Sequence, residues 1–126
     1  MKFLSPAVHG SIDYIFAALF LIAPTIFGFE GLPATLSIGI GLAHLTMSMC
    51  TAYPLGLLKA LPFSAHGWFD LVAATTVTLS PWVFAFEENA VAKNFFLSAG
   101  VLWFLSWLLS AYAPAEPHPP QNGGDE

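Results

Sequence analysis

Two pairs of residues at one spacing could do chemistry in this chain: His9 with Asp13, and His66 with Asp70. A separation of four residues puts both side chains on one face of a helix, about 6 Å apart along its axis. Imidazole and carboxylate together suit divalent Zn, Mn or Fe, and a His–Asp pair can also relay protons near neutrality. A structural role competes with both. A histidine and an acid in a first helical turn suit the positive end of the helix dipole and its orphan N–H groups. Alternatively, histidine and aspartate from different parts of the chain pair and lock a bundle. Those turns hold no further ligands, which favours the structural reading over metal or cofactor binding, and binding over proton or ion transfer. His44 is a further candidate, followed by Met47, Met49 and Cys50. Such a set would suit haem or copper. Met49 and Cys50 fall off the face shared by His44 and Met47, so a neutral histidine bonded to a helix neighbour is preferred. No catalytic triad, phosphate loop, CxxC or zinc-protease motif is present. Neither enzymatic activity nor a cofactor is expected.

The elements that must position these residues follow from composition. Of 126 residues, 9% are charged and 56% hydrophobic, and the mean hydropathy is +0.70. Soluble domains carry roughly 25% charged residues, so this composition belongs in a bilayer. With no arginine and only three lysines, phosphate neutralisation and hence nucleic-acid binding are excluded. The single cysteine excludes a disulfide within the chain. A spanning helix needs about 20 apolar residues, and Val8–Phe29, Pro33–Tyr53, Ala65–Phe86 and Ala90–Tyr112 qualify. Backbone groups in lipid must be satisfied internally, and the chain is too short for a closed barrel. The expected fold is therefore all-α: a four-transmembrane-helix bundle forming one membrane domain over 1–112. A disordered Pro/Gly/acidic tail is expected over 113–126. Asp13 interrupts the signal-peptide pattern, so the first span is read as retained. Lys2 and Lys59 lie on one side and Lys93 on the other, which places both termini in the cytoplasm.

Shifting the chain by 57 residues lays His9–Glu30 over His66–Glu87 without a gap. The match includes His, Gly, Asp, Pro and Glu, which membrane hydrophobicity alone would not repeat. Thr51-Ala52-Tyr53 matches Ser110-Ala111-Tyr112 more weakly. Two tandem two-helix repeats follow, about 8–53 and 65–112, related by an axis along the membrane normal. Asp13 and Asp70 then share one depth and should turn inward, because an acid facing lipid is costly. Pro24 and Pro81 each free a carbonyl four residues back, at Phe20 and Val77. The hydroxyls of Thr75, Thr76, Thr78 and Ser80 are available to bind such carbonyls. Ser37/Gly41 and Gly39/Ala43 permit close approach of the fourth span or of another subunit. Trp68, Trp82, Tyr53 and Tyr112 fall at span ends, as an interfacial belt would.

The triplet Ser80-Pro81-Trp82 and its degenerate partner Ala23-Pro24-Thr25 resemble the SPW-repeat family of small prokaryotic integral membrane proteins. The HGxxDY at His9–Tyr14, the FGF at Phe27–Phe29 and Tyr53-Pro54-Leu55-Gly56 carry the same resemblance. It implies paired helices per repeat, a structural role for Pro24, Ser80, Pro81 and Trp82, and a bacterial plasma-membrane location, and it implies no particular activity. The expected function is a structural or interaction protein with a His/Asp polar seam, in contact with the lipid bilayer and open to homo-oligomerisation through span two. The alternatives are a metal or cofactor binder and a small ion or proton conductor.

Overall fold

The computed structural model describes residues 3–112, which form four helices: α1 (Pro6–Phe27), α2 (Leu32–Cys50), α3 (Phe63–Val83) and α4 (Ala90–Leu109). The expected tail over 113–126 lies outside the described residues. Local chemistry sets the ends. Ser5 accepts from the Val8 N–H and Pro6 fills the first turn, so α1 begins two residues before the expected span. Gly28, at φ 71°, closes α1 in the left-handed conformation and returns its N–H to the Pro24 carbonyl. Ala85, 57 residues on, also has positive φ, at 53°. Asn89 caps α4 by accepting from Ala92.

Spans two and four end sooner than expected. Thr51 and Ser110 are extended, with ψ near 141° and 145°. Their segments leave the helix to form isolated parallel bridges, Thr51 with Leu61 and Leu4 with Ser110. The backbone of each helix end is thereby paired with the segment preceding α3 or α1.

Packing joins α1 to α2 and α3 to α4 as two hairpins, with a lighter contact between α1 and α4. Phe16, Phe20, Phe96, Ala99 and Trp103 are central to the buried core. The outer surface is apolar as well, with Ile15, Ile26, Leu42, Val72, Val101 and Leu102 at least half exposed. Helices apolar all round suit a lipid surrounding. Among the described residues α1, α2 and α4 are long and apolar enough to cross a membrane. Helix α3 has the length, but His66, Asp70, Thr75, Thr76, Thr78 and Ser80 make it more polar.

Two details revise the expected packing. Ser37 on α2 donates to the Phe20 carbonyl at 2.6 Å, the acceptor that Pro24 leaves free. Around Pro81 the hydroxyls of Thr75, Thr78 and Ser80 instead bond Leu71, Ala74 and Thr76. A helical hydroxyl reaches back four residues, and the position that would reach Val77 is occupied by the proline itself. The small residues Ser37 and Gly41 face α1, not α4 or another subunit. A Cβ at Gly41 would stand 2.9 Å from Leu21 and 3.0 Å from the Ala17 carbonyl. Gly39 faces open space.

Candidate metal centre

His9 and Asp13 project from α1 and His66 and Asp70 from α3, each at most 1% exposed. Neither acid lies in a first turn. His9 is the fourth residue of α1 and Asp13 the eighth, and Ser5 caps that helix, so the helix-end reading of these pairs does not hold. Both acids point inward instead. His9 Nε2 stands 3.2 Å from Asp13 Oδ1 and 3.0 Å from Asp70 Oδ2. His66 Nε2 stands 3.2 Å from Asp13 Oδ2 and 3.3 Å from Asp70 Oδ1. Each histidine therefore meets an acid of its own helix and one of the other hairpin. The four residues offer ligand atoms that all lie within 4.8 Å of one another.

The other ring nitrogens decide the protonation pattern. His9 Nδ1 is 2.7 Å from Ser110 Oγ, and His66 Nδ1 is 2.7 Å from Thr51 Oγ1. Those hydroxyls donate their own protons to the Ser106 and Met47 carbonyls, at 2.6 Å in both cases. A hydroxyl has one proton, so toward each histidine it accepts, and each Nδ1 carries the hydrogen. The Nε2 atoms are left facing the carboxylates. These contacts are within ion-pair distance, yet among the described residues neither Nε2 has a partner in hydrogen-bond geometry. Two imidazole nitrogens and two carboxylates thus gather within a few ångströms of one another.

Aromatic donors complete the shell. The Tyr112 hydroxyl donates to Asp70 Oδ2 at 2.8 Å and Trp103 Nε1–H to Asp70 Oδ1 at 3.0 Å. The Tyr53 hydroxyl donates to Asp13 Oδ2 at 3.2 Å. Tyr53 and Tyr112 are consequently not belt residues: Tyr53 is 3% exposed, whereas Trp68 and Trp82 do face outward. Burial, followed by the facing aspartates, pushes both phenols above the usual tyrosine value, so both remain donors. Glycine makes room for them. A Cβ at Gly10 would fall 2.6 Å from the Tyr53 ring, and one at Gly67 would fall 2.7 Å from Tyr112. Lys59 Nζ holds the Tyr53 carbonyl at 2.7 Å. Phe63 packs over the histidines, its centroid 5.4 Å from His9 and 6.2 Å from His66. Above it lies a cleft of about 510 Å³ bordered by Tyr53, Phe63 and Tyr112.

His44 is also buried in this region, with its Nε2 3.6 Å from Asp13 Oδ1. Among the described residues it is not bonded to a helix neighbour through its ring, and both ring nitrogens lack a hydrogen-bond partner. Met47 contributes only its carbonyl, to Thr51, so no His/Met/Cys set forms on α2. The sequence reading missed Trp103, Thr51 and Ser110. A signal existed: extending the Thr51–Tyr53 match at its offset of 59 sets Gly41 against Gly100 and His44 against Trp103.

Comparison of the chain with protein-family models, curated proteins and solved structures gives no match.

Proposed function

We propose that this is an integral membrane protein whose two hairpins enclose one divalent transition-metal ion, held by His9, Asp13, His66 and Asp70. The carrying observation is the pair of buried Nε2 atoms, unbonded yet 3.0–3.3 Å from carboxylate oxygens. Ligand atoms about 2.1 Å from one ion stand roughly 3.0 Å apart at right angles and about 4.2 Å apart across it. The four His–Asp distances, to both oxygens of each acid, are of that size, and one ligand atom from each residue lies within 4.8 Å of the others. Metal-ligating histidines commonly donate the other ring N–H to a fixed acceptor, and Ser110 and Thr51 supply those acceptors. Two carboxylates in an apolar interior need two positive charges beside them, and one divalent ion meets that need.

The same centre acts as an interaction element, because each side of it draws on both hairpins. The proposal includes α3 as a fourth crossing helix, with its acid and histidines turned to the interior. It also includes two tandem repeats of the SPW kind, supported by matched contacts at offsets of 57 and 59. These contacts are the two His–hydroxyl bonds, the two Tyr–Asp bonds and the two bridges. A bacterial plasma-membrane location rests on the resemblance to the SPW-repeat family, and cytoplasmic termini rest on Lys2 and Lys59 against Lys93. The role is binding, without catalysis. A conducting role is less well supported, because Phe16, Phe20, Phe96 and Trp103 fill the core next to the cluster. The outward face of α2 around Gly39 and Ala43 is the surface open to self-association. Crosslinking in mild detergent tests it, and a strictly monomeric species removes it.

Elemental analysis of the purified full chain, followed by chelator stripping and reloading with Zn²⁺, Mn²⁺ or Fe²⁺, tests the central claim. One ion per wild-type chain is expected, with loss of the bound ion in His66→Ala. A wild-type protein that neither carries nor takes up stoichiometric metal overturns the proposal.

A further inference from the structure

We infer that His44 is a third histidine ligand of the centre, contributed by α2, which makes the site five-coordinate and unequal in its two halves. The inference rests on the metal-binding reading above and specifies its donor set: three imidazole nitrogens and one oxygen from each of Asp13 and Asp70.

The first observation is the state of the side chain. His44 is completely buried, and among the described residues neither ring nitrogen has a hydrogen-bond partner. Buried polar groups in folded proteins are nearly always paired, and an orphan calls for an explanation such as an ion. Its ring is held instead by aromatic faces. The Trp103 centroid is 4.2 Å away, and Phe69 lies 6.2 Å away with its plane within 8° of parallel. Such packing orients an imidazole without engaging its nitrogens.

The second observation is position. Nε2 of His44 lies 3.6 Å from Asp13 Oδ1, at the rim of the four-residue group. That spacing falls within the range of about 3.0–4.2 Å expected of two atoms on one ion. The His44 and His66 centroids are 6.1 Å apart, close to the 5.6 Å between His9 and His66. His66 therefore stands beside both of the other imidazoles.

The third observation is the contrast between the halves. At the offset of 59, Trp103 occupies the place of His44, and its indole N–H donates to Asp70 Oδ1. Asp70 thus has a donor on each oxygen. Among the described residues Asp13 has only the Tyr53 hydroxyl, on Oδ2, and its Oδ1 faces His9 and His44 with no hydrogen bond to either. An indole can only donate to a carboxylate. An imidazole nitrogen with a lone pair can share a cation with it. The exchange of Trp for His on one side turns a donor that merely satisfies an acid into a group able to ligate. Three nitrogens with two carboxylates select first-row transition ions over Mg²⁺ or Ca²⁺.

The test uses the full chain in detergent, stripped and then loaded with one equivalent of Co²⁺ or Cu²⁺. Cobalt d–d absorption reports coordination number, and nitrogen couplings in the pulsed paramagnetic resonance of the copper form count imidazoles. Three coupled imidazoles and a five-coordinate cobalt spectrum are expected in the wild type. His44→Ala and His44→Trp, the latter placing at 44 the residue found at 103, should retain one ion per chain with two imidazoles. Their affinity should be weaker by at least the roughly 10–100-fold that loss of an outer-shell partner costs. A wild type with two imidazoles, unchanged in both variants, overturns the inference and leaves the four-residue site standing. A wild type that binds neither ion overturns the metal reading and this inference with it. The imidazole count is made on the wild type, so a variant that fails to fold does not remove the test.

Discussion

Asp13 and Asp70 share a His-Gly-x-x-Asp setting in the sequence and differ in hydrogen bonding. Asp70 accepts from Tyr112 at 2.8 Å and from Trp103 at 3.0 Å, whereas Asp13 accepts from Tyr53 at 3.2 Å with no indole. Hydrogen bonds to charged groups contribute roughly 1.5–3 kcal/mol and weaken as they lengthen. Tyr112→Phe should therefore destabilise the protein more than Tyr53→Phe, by about 1 kcal/mol. Denaturant unfolding of the two variants in one detergent measures the difference; equal losses, or a larger loss at Tyr53, would contradict the assignment of Asp70 as the better-anchored acid. The glycines preceding each of these acids by three residues belong to the same argument. Gly10 and Gly67 repeat in the sequence because the tyrosine rings lie where a Cβ would be. The repetition itself was legible in the sequence. Its cause was not, because each tyrosine arrives from a segment over 40 residues further along the chain.

On the scale of elements, the prolines show how the two hairpins diverge. Pro24 removes the N–H that would serve the Phe20 carbonyl, and Ser37 of α2 replaces it. At the offset of 59 the counterpart of Ser37 is Phe96, which has no donor in its side chain. Ser37→Ala should leave a buried carbonyl unpaired and cost about 1–3 kcal/mol. In a Pro24→Ala background the restored backbone N–H takes that carbonyl, so Ser37→Ala should cost clearly less there. A double-mutant cycle on unfolding free energies measures the coupling; additive losses would show that Ser37 acts by packing alone. Helix number and approximate position could be read from hydropathy. The C-terminal ends were misplaced by three residues in spans two and four, since Thr51 and Ser110 are pulled out of helix by pairing with distant backbone.

For the whole molecule, the centre joins the hairpins where backbone contact between α1 and α3 is sparse. An ion bound only in the folded state adds RT ln(1 + [M]/Kd), about 2.7 kcal/mol at a hundredfold excess over Kd. Thermal unfolding of the full chain should therefore shift upward with added Zn²⁺ and downward with chelator. In Asp13→Asn/Asp70→Asn the midpoint should not respond to either. A wild-type midpoint that is insensitive to metal would remove the clamp between hairpins.

The sequence by itself determined the all-α class, the four helices and the shared inward face of His9, Asp13, His66 and Asp70, because helical period and hydropathy are local properties. It also marked the 57-residue correspondence between α1 and α3. Only the tertiary structure decided that each histidine meets the acid of the opposite hairpin and that Thr51 and Ser110 fix the ring nitrogens. It likewise decided that Tyr53, Tyr112 and Trp103 belong to the centre and not to a lipid-facing belt or a generic core. These are contacts between residues 15 to 101 positions apart. Their geometry depends on how two hairpins close on each other, and no periodicity within a single helix carries that information.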